Sequence, residues 1–278
     1  MGMNESPMGG KVMLFDQHLH SVHSEDGGQT ICEIAEKAIE RGLTGVTITD
    51  HFDLCTDPIG YPFYLMHEEA RKADFAAAQA QYGDRLQLRW GLELGNPFLM
   101  PGVAEPLLAE REFDFVLGSV HYTRDGRDVY LIDFDTEEKR KYALDMYFED
   151  MMTLLSDGGF DSLAHLDYPL RVMRGLMEPT LIDWREPIEA VLETVVRKDL
   201  ALEVNTRGFM DWKGRQEPED WVLRRFYELG GRMITVGSDA HVPQAVGGCI
   251  DRAHEKLAEL GFEGVTVFTN RKPELMPL

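Results

Sequence analysis

Segments with the composition of β-strands alternate with amphipathic helical segments seven times along the 278-residue chain. The strand-like segments are residues 12–20, 44–51, 86–93, 113–121, 160–165, 200–205 and 232–241. The helical segments are residues 30–41, 68–82, 103–111, 137–155, 181–198, 218–229 and 244–260. Seven strand-helix repeats predict a parallel sheet, because parallel strands need a long crossover connection, usually a helix.

The strand-like segments share a second property, which is that each ends in a polar residue that can bind a metal or a substrate. These end residues are His20, His51, Glu93, His121, His165, Asn205 and His241. An open sheet would gather such residues at one or two strand ends near its switch point, whereas a closed barrel brings all carboxyl ends to one mouth. We therefore predict an α/β barrel with one site at its mouth. No Pro/Ser-rich linker or low-complexity run divides the chain, so residues 1–278 are predicted to form one domain.

The composition argues against several classes of function. The formal charge of −21 disfavours a nucleic-acid-binding surface, which depends on clustered Lys and Arg. The amino-terminal residues do not resemble a signal peptide, and no apolar stretch approaches the roughly 20 residues that span a bilayer. The three cysteines are odd in number and far apart, which is typical of reduced thiols. We expect a cytoplasmic enzyme that contacts neither membrane nor nucleic acid.

Two short motifs at opposite ends of the chain have the spacing of metal ligands. His18 and His20 are two residues apart and so share one face of a strand, with Asp16 placed to orient a ring. Asp239 and His241 repeat this spacing. Histidine and carboxylates without matching cysteines are typical of catalytic zinc, iron or manganese. A single HxH motif is a weak signal, but the two together are much stronger.

The remaining candidates each have an alternative explanation when taken alone. Glu93 lies between two leucines, where a metal or a salt bridge would offset the cost of burying its charge. His121 and His165 end apolar segments and would otherwise be core histidines. His23 and Asp26 follow the first strand, and either could reach the mouth. His67 and His254 lie in polar helical segments, and we expect both to be solvated.

Three further segments are predicted from their position. Residues 52–66 and 122–136 form long loops after ligand-bearing strand ends, and we expect both to lie over the mouth. Residues 264–278 begin like a strand and are expected to wrap the barrel.

Taken in order, these motifs resemble those of the PHP (polymerase and histidinol phosphatase) family over nearly the whole chain. The resemblance depends on His18 and His20, the Asp50-His51 pair, Glu93, His121, His165 and the GSDAH stretch. The SEDG, GSVH, LEVNTRG and FTNRKP segments are similar to the histidinol-phosphatase branch in particular. The family implies a distorted (β/α)7 TIM-like barrel with a trinuclear site of divalent zinc, iron or manganese.

The resemblance also implies a role for individual residues. One metal would take His18, His20, Glu93 and Asp239, and a second would share Glu93 and add His121 and His165. The third would take Asp26, His51 and His241, with His23 as a possible substitute for Asp26. Two arginines would hold the phosphate. Arg207, two residues after Asn205 and just beyond the sixth strand-like segment, fits one of them. The other should follow the fifth strand-like segment, but in this chain the arginine there is displaced from the family's position. Arg171 is the preferred choice and Arg174 the second.

These features imply a phosphomonoesterase that most closely resembles an L-histidinol-phosphate phosphatase of histidine biosynthesis. Clustered dications lower the pKa of bound water, and metals about 3.5–4 Å apart clamp an in-line phosphoryl displacement. Asn205 lies at the mouth beside the phosphate arginine, and His241 and Asp26 are candidates for the general acid if they are not fully committed to metal. The alternatives are a phosphoesterase for another small phosphate, such as a sugar phosphate or a nucleotide, and a metal-binding scaffold without activity. A complete ligand set disfavours the scaffold.

Overall fold

The structure, a computed structural model, describes residues 12–55, 60–173, 180–211 and 213–278. The strands are β1 (Phe15–Asp16), β2 (Gly45–Ile48), β3 (His51–Asp53), β4 (Gln87–Gly95), β5 (Phe115–Ser119), β6 (Ser162–Leu163), β7 (Ala201–Asn205), β8 (Ile234–Gly237), β9 (Gly264–Thr269) and β10 (Lys272–Pro277). Strands β1, β2, β4, β5, β6, β7 and β8 are neighbours in this order and all pair in parallel, while β3 continues the path of β2 beside β4.

Backbone hydrogen bonds between the first and last strands of this order bring the sheet nearly to closure. The amide of Gln17 donates to the carbonyl of Val236 at 3.0 Å, and the amide of Asp239 donates to the carbonyl of His18 at 2.8 Å. The predicted seven-stranded α/β barrel is therefore confirmed. The contacts continue beyond the ends of β1 and β8, so His18 and Asp239 are held side by side at the mouth.

The helices are α1 (Ile31–Glu40), α2 (Gly60–Tyr82), α3 (Ala104–Glu110), α4 (Glu137–Asp157), α5 (Arg185–Arg197), α6 (Arg207–Met210), α7 (Asp220–Glu228) and α8 (Ile250–Glu259). Helix α1 begins with a capping box, since Thr30 and Glu33 each accept a hydrogen bond from the backbone amide of the other. Each predicted helical segment overlaps one of these helices, although α2 begins eight residues earlier and α4 ends two residues later than predicted.

The loop predicted over residues 52–66 is shorter than expected. Strand β3 occupies its start, and α2 already begins at Gly60; residues 56–59 lie outside the described part of the chain. The prediction failed because this stretch carries little of the polar pattern of an amphipathic helix. Helix formation is favoured instead by packing, since Tyr64 is buried and accepts a hydrogen bond from Arg71 at 2.6 Å.

The carboxyl-terminal residues form an antiparallel hairpin rather than a strap around the barrel. Strand β9 pairs with β10 over its whole length. Phe268 stacks on Phe115 at a centroid distance of 5.2 Å, and the amide of Arg271 donates to the carbonyl of Asp114. Because Asp114 and Phe115 lie at the start of β5, the hairpin covers the amino ends of the strands, opposite the mouth.

Candidate metal centre

The carboxyl ends of the strands surround a cavity of about 260 Å³. Seven of the predicted ligands line it, namely Asp26, His51, Glu93, His121, His165, Asp239 and His241. The loop after β5 contributes Tyr122, Asp128 and Tyr130, as predicted for residues 122–136, and Tyr168 forms part of the wall. The strand-end residues thus converge on one site.

Glu93 lies at the centre of this site, with no exposed surface. Its two carboxylate oxygens face five imidazoles: Oε1 is 3.0 Å from His165 Nε2 and 3.2 Å from His121 Nε2, and Oε2 is 3.0 Å from His51 Nδ1, 3.2 Å from His18 Nε2 and 3.4 Å from His20 Nε2. Burial alone would raise the pKa of Glu93, but the imidazoles outweigh it and hold that pKa well below its usual value. Glu93 is therefore ionised, and each of its two oxygens faces a different set of imidazoles.

Carboxylates behind the site orient two of these imidazoles. Glu203 on β7 accepts a hydrogen bond from His18 Nδ1 at 2.6 Å and another from the amide of His165 at 2.8 Å. Asp53 on β3 lies 2.9 Å from His121 Nδ1. Burial would lower the pKa of His18, yet the charges of Glu203 and Glu93 raise it. With Nδ1 bonded to a carboxylate, each ring directs Nε2 at Glu93, as metal-binding histidines require.

A hydroxyl performs the same task for His20. The Ser24 hydroxyl donates to Asp50 Oδ1 at 3.0 Å and lies 3.1 Å from His20 Nδ1, so it accepts from that nitrogen. Nε2 of His20 is left unprotonated, 3.4 Å from both Glu93 and Asp239. Burial, together with the charges of His51 and His241, lowers the pKa of His20 to about 3.

Asp26, His51 and His241 form the more exposed side of the cluster. Asp26 Oδ2 lies 3.1 Å from His241 Nε2, and Asp26 Oδ1 lies 3.6 Å from His51 Nε2. Burial would raise the pKa of the Asp26 carboxyl, but its hydrogen bond to His241 and the charge of His51 lower it overall. Burial lowers the pKa of His51, but the carboxylates of Glu93 and Asp53 outweigh it and raise that pKa to about 9.

This donor set fits divalent metals. Nε2 of His20 is buried without a hydrogen-bond partner and faces two carboxylates, which is unfavourable unless a cation lies between them. Four triads of donor atoms, each within 4.8 Å of one another, occur among the described residues: His20, His51 and His241; His18, Glu93 and His165; His18, His20 and Asp239; and His51, Asp53 and His121. All nine predicted ligands are brought together, while ligation by each of them stays a prediction.

The predicted phosphate-binding residues cluster around Asp239. Arg171 Nη1 is 2.7 Å from Asp239 Oδ2, Asn205 Nδ2 is 3.3 Å from the same oxygen, and Arg207 Nη1 is 3.9 Å from Asp239 Oδ1. Arg171 is buried and Arg207 is 38% exposed at the side chain. Both arginines line the cavity, and the alternative Arg174 lies outside the described residues.

Three other expectations need correction or refinement. His23 points away from the mouth, with Nε2 2.9 Å from Asp74 Oδ2 on α2, whereas Asp26 faces the cluster. Asp16 does not orient a ring; its carboxylate accepts hydrogen bonds from Ser238 and Gly247. His254 was predicted to be solvated but is only 5% exposed, because it lies on the inner face of α8.

Sequence reasoning missed two residues of the site, Glu203 and Asp53. Both had a signal in the two-residue strand period. Glu203 lies two residues before Asn205, and Asp53 lies two residues after His51, so each shares a face with a predicted site residue.

Comparison with known proteins agrees with this geometry. Residues 16–207 match the PHP domain family. A probable histidinol-phosphatase of Deinococcus radiodurans is 31% identical over 93% of this chain and 98% of its own length, and the histidinol-phosphatase of Lactococcus lactis is 29% identical over 92% and 95%.

A solved structure supports the same assignment. The crystal structure of histidinol phosphate phosphatase from Lactococcus lactis, in complex with zinc, L-histidinol and phosphate, is 26% identical, covers 94% of this chain and 98% of its own, and has a TM-score of 0.77. With a family match over more than half of its length and relatives at 30% identity or above over most of it, this chain belongs to the PHP domain family.

Proposed function

We propose that this protein hydrolyses L-histidinol phosphate to L-histidinol and inorganic phosphate in histidine biosynthesis, as a metal-dependent phosphomonoesterase. The observation that carries the proposal is that Arg171 and Arg207 both form ion pairs with Asp239, beside the cluster of histidines and carboxylates around Glu93. The likeness to the Lactococcus lactis enzyme, which binds zinc, L-histidinol and phosphate, supports the choice of substrate.

The proposed metal site holds three divalent ions, of zinc, iron or manganese. The first ion takes His18, His20, Glu93 and Asp239, the second shares Glu93 and adds His121 and His165, and the third takes Asp26, His51 and His241. Support comes from the short distances within each set and from the oxygen and nitrogen donors, which suit these metals. When bound, the ions activate water as a nucleophile near neutral pH and neutralise charge on the phosphoryl oxygens.

The side chains of the protein hold the substrate and manage the protons. Arg171 and Arg207 are proposed to bind the phosphoryl oxygens through charge-assisted hydrogen bonds, with Asn205 beside them. Glu203 and Asp53 keep the imidazoles of His18 and His121 aimed at Glu93. Asp26 and His241 are proposed as candidates for the proton donor to the leaving alkoxide where they are not committed to the third ion.

The cysteines and the helices of the protein bear on its cellular location. Cys32, Cys55 and Cys249 form no disulfide bond with one another, and we propose a cytoplasmic location. Within the described ranges, no helix combines the length and the apolar content that a bilayer crossing requires.

The test is phosphate release from a panel of histidinol phosphate, sugar phosphates and nucleotides, with the metal content measured on the same sample. We expect kcat/KM to be highest for histidinol phosphate. A tenfold higher kcat/KM for a sugar phosphate or a nucleotide would assign the same site to that substrate instead. Full activity with at most one metal per chain would contradict the trinuclear site. The Glu93→Gln variant, purified in parallel, controls for contaminating phosphatases.

A further inference from the structure

A line of buried ion pairs runs behind Arg171. Glu217 Oε2 lies 2.8 Å from Arg171 Nε and 2.7 Å from Arg171 Nη2, and Glu217 Oε1 lies 2.6 Å from Lys213 Nζ. The side chains of Glu217 and Lys213 have no exposed surface, and that of Arg171 is 4% exposed. One carboxylate therefore contacts both cations away from solvent.

The backbone fixes Glu217 against the end of the strand that carries Asn205. The amide of Asn205 donates to the carbonyl of Glu217 at 2.7 Å, and the amide of Glu217 donates back at 2.9 Å. The loop also packs tightly on Gly208, where an added Cβ would lie 2.3 Å from the carbonyl oxygen of Arg215 and 3.1 Å from Glu217 Cγ. Glu217 thus has a defined place relative to Asn205 and to helix α6, which begins at Arg207.

Stability alone does not explain this arrangement. Taking charges out of water is costly, and well-packed apolar residues at such positions are often equally or more stabilising. Glu217 and Asp239 instead hold different nitrogens of one guanidinium, because Nε and Nη2 face Glu217 while Nη1 faces Asp239. Two such contacts define both the position and the plane of the group.

Arg171 needs this support because of where its backbone lies. It ends the 3-10 turn Tyr168–Arg171 that follows β6, rather than extending directly from a strand end. A long side chain that starts from a turn has many rotamers, and recognition of a phosphoryl group by a planar fork depends on orientation.

We propose that Glu217, backed by Lys213, is a positioning residue that holds the Arg171 guanidinium in the plane required to bind the phosphoryl group. This inference rests on the proposed function in so far as it takes Arg171 to be a phosphate ligand.

The test measures inorganic phosphate binding to the metal-loaded full-length protein by titration calorimetry. The proteins are the wild type, Glu217→Gln, Arg171→Met and the double variant. We expect Glu217→Gln to weaken phosphate binding about 10-fold or more, as loss of a hydrogen bond to a charged group does. In the Arg171→Met background, the same change is expected to alter the dissociation constant less than about twofold, because the two residues act as one unit.

The thermodynamic cycle separates positioning from a merely structural role. Equal effects of Glu217→Gln in both backgrounds, or phosphate binding within about twofold of the wild type in the single variant, would overturn the proposal. Glu228→Gln serves as the matched control, because it removes one of the two carboxylate partners of Arg225 on α7, outside the site. It should leave phosphate binding unchanged.

Two further measurements keep the result decisive. If Glu217→Gln does not fold, Glu217→Asp replaces it, because this variant retains the charge but shortens the side chain by one methylene. We expect Glu217→Asp to bind phosphate about threefold more weakly, again only when Arg171 is present. Unchanged phosphate binding would refute the positioning role. Phosphate titration does not depend on the substrate. Failure of the wild type to hydrolyse histidinol phosphate would therefore refute the proposed function and leave the role of Glu217 to be decided by the cycle.

Discussion

Replacing Glu93 by glutamine tests the centre of the site with the least change in shape. The amide has nearly the same volume as the carboxylate but no charge, and it offers one acceptor oxygen where Glu93 offers two. Both oxygens are needed in the structure, since Oε1 faces His121 and His165 while Oε2 faces His18, His20 and His51. A glutamine can therefore serve only one side of the cluster.

The size of the effect follows from what a bridging ligand does. Changes to groups that merely orient a metal ligand typically cost about 10- to 100-fold in metal affinity or activity. Loss of a ligand shared by two ions should exceed that range, so we expect turnover to fall by at least about 100-fold. The fold should persist, because glutamine keeps the shape of the side chain and the barrel strands are joined by backbone hydrogen bonds.

The assay compares kcat for histidinol phosphate, the metal content by elemental analysis and the thermal unfolding midpoint in wild type, Glu93→Gln and the control Glu228→Gln. We expect the Glu93 variant to contain fewer ions per chain and to be nearly inactive, whereas the control matches the wild type. Turnover of Glu93→Gln within about threefold of the wild type, with full metal content, would show that Glu93 is not a bridging ligand.

Three further outcomes are expected. Arg207→Lys should keep the metals but raise KM or lower kcat for histidinol phosphate, because an ammonium cannot reproduce the guanidinium fork; unchanged kinetic parameters would place Arg207 outside the site. Glu203→Gln should weaken zinc affinity about 10-fold, measured by competition with a chelator, and unaltered affinity would argue against its role in orienting a ligand. Metal-stripped protein should lose stability as the pH rises from about 6.5 to about 9. The carboxylates around His51 raise its pKa in the folded state to about 9. The stabilisation by the His51 proton, up to about 3 kcal/mol, is therefore lost over that pH range. A urea midpoint that increases between these pH values would contradict this expectation, and zinc-loaded protein, whose ligands are already deprotonated, should not show the decrease.

The barrel was predictable because its pattern is local. Each strand-helix unit consists of consecutive residues, so its pattern can be recognised from that segment alone. The polar residue at the end of each strand likewise indicates the mouth of the barrel independently of the other units. The start of α2 was mispredicted for the opposite reason. Its first turns include Tyr64, which packs on Phe52 of β3 at a ring-centroid distance of 5.1 Å, and no pattern within the helical segment reports this contact between two elements.

The candidate ligands were easier to find than the residues that orient them. A histidine at a strand end is conspicuous, whereas Glu203 belongs to the site only because β7 lies beside β6 and its carboxylate reaches His18 across the barrel. The strand period placed Asp16 on the same face as His18, but its carboxylate accepts hydrogen bonds from backbone amides of the segment that follows β8. Periodicity gives the face of a strand, and the neighbours then decide which partner is reached.

The arginines proposed to bind phosphate show a different limit of sequence-based prediction, which comes from side-chain length. Histidine and aspartate are short, so a ligand role fixes their backbone near the metal and hence at a strand end. Arginine is long enough to reach the mouth from a turn, as Arg171 does from the segment Tyr168–Arg171, and its sequence position is correspondingly less constrained. That freedom must be removed by other groups if the guanidinium is to bind a phosphoryl group in one orientation. Glu217 is placed to restrict the orientation of the Arg171 guanidinium. An arginine that reaches a phosphate site from a turn can therefore be recognised by a buried acidic residue that faces it from another loop.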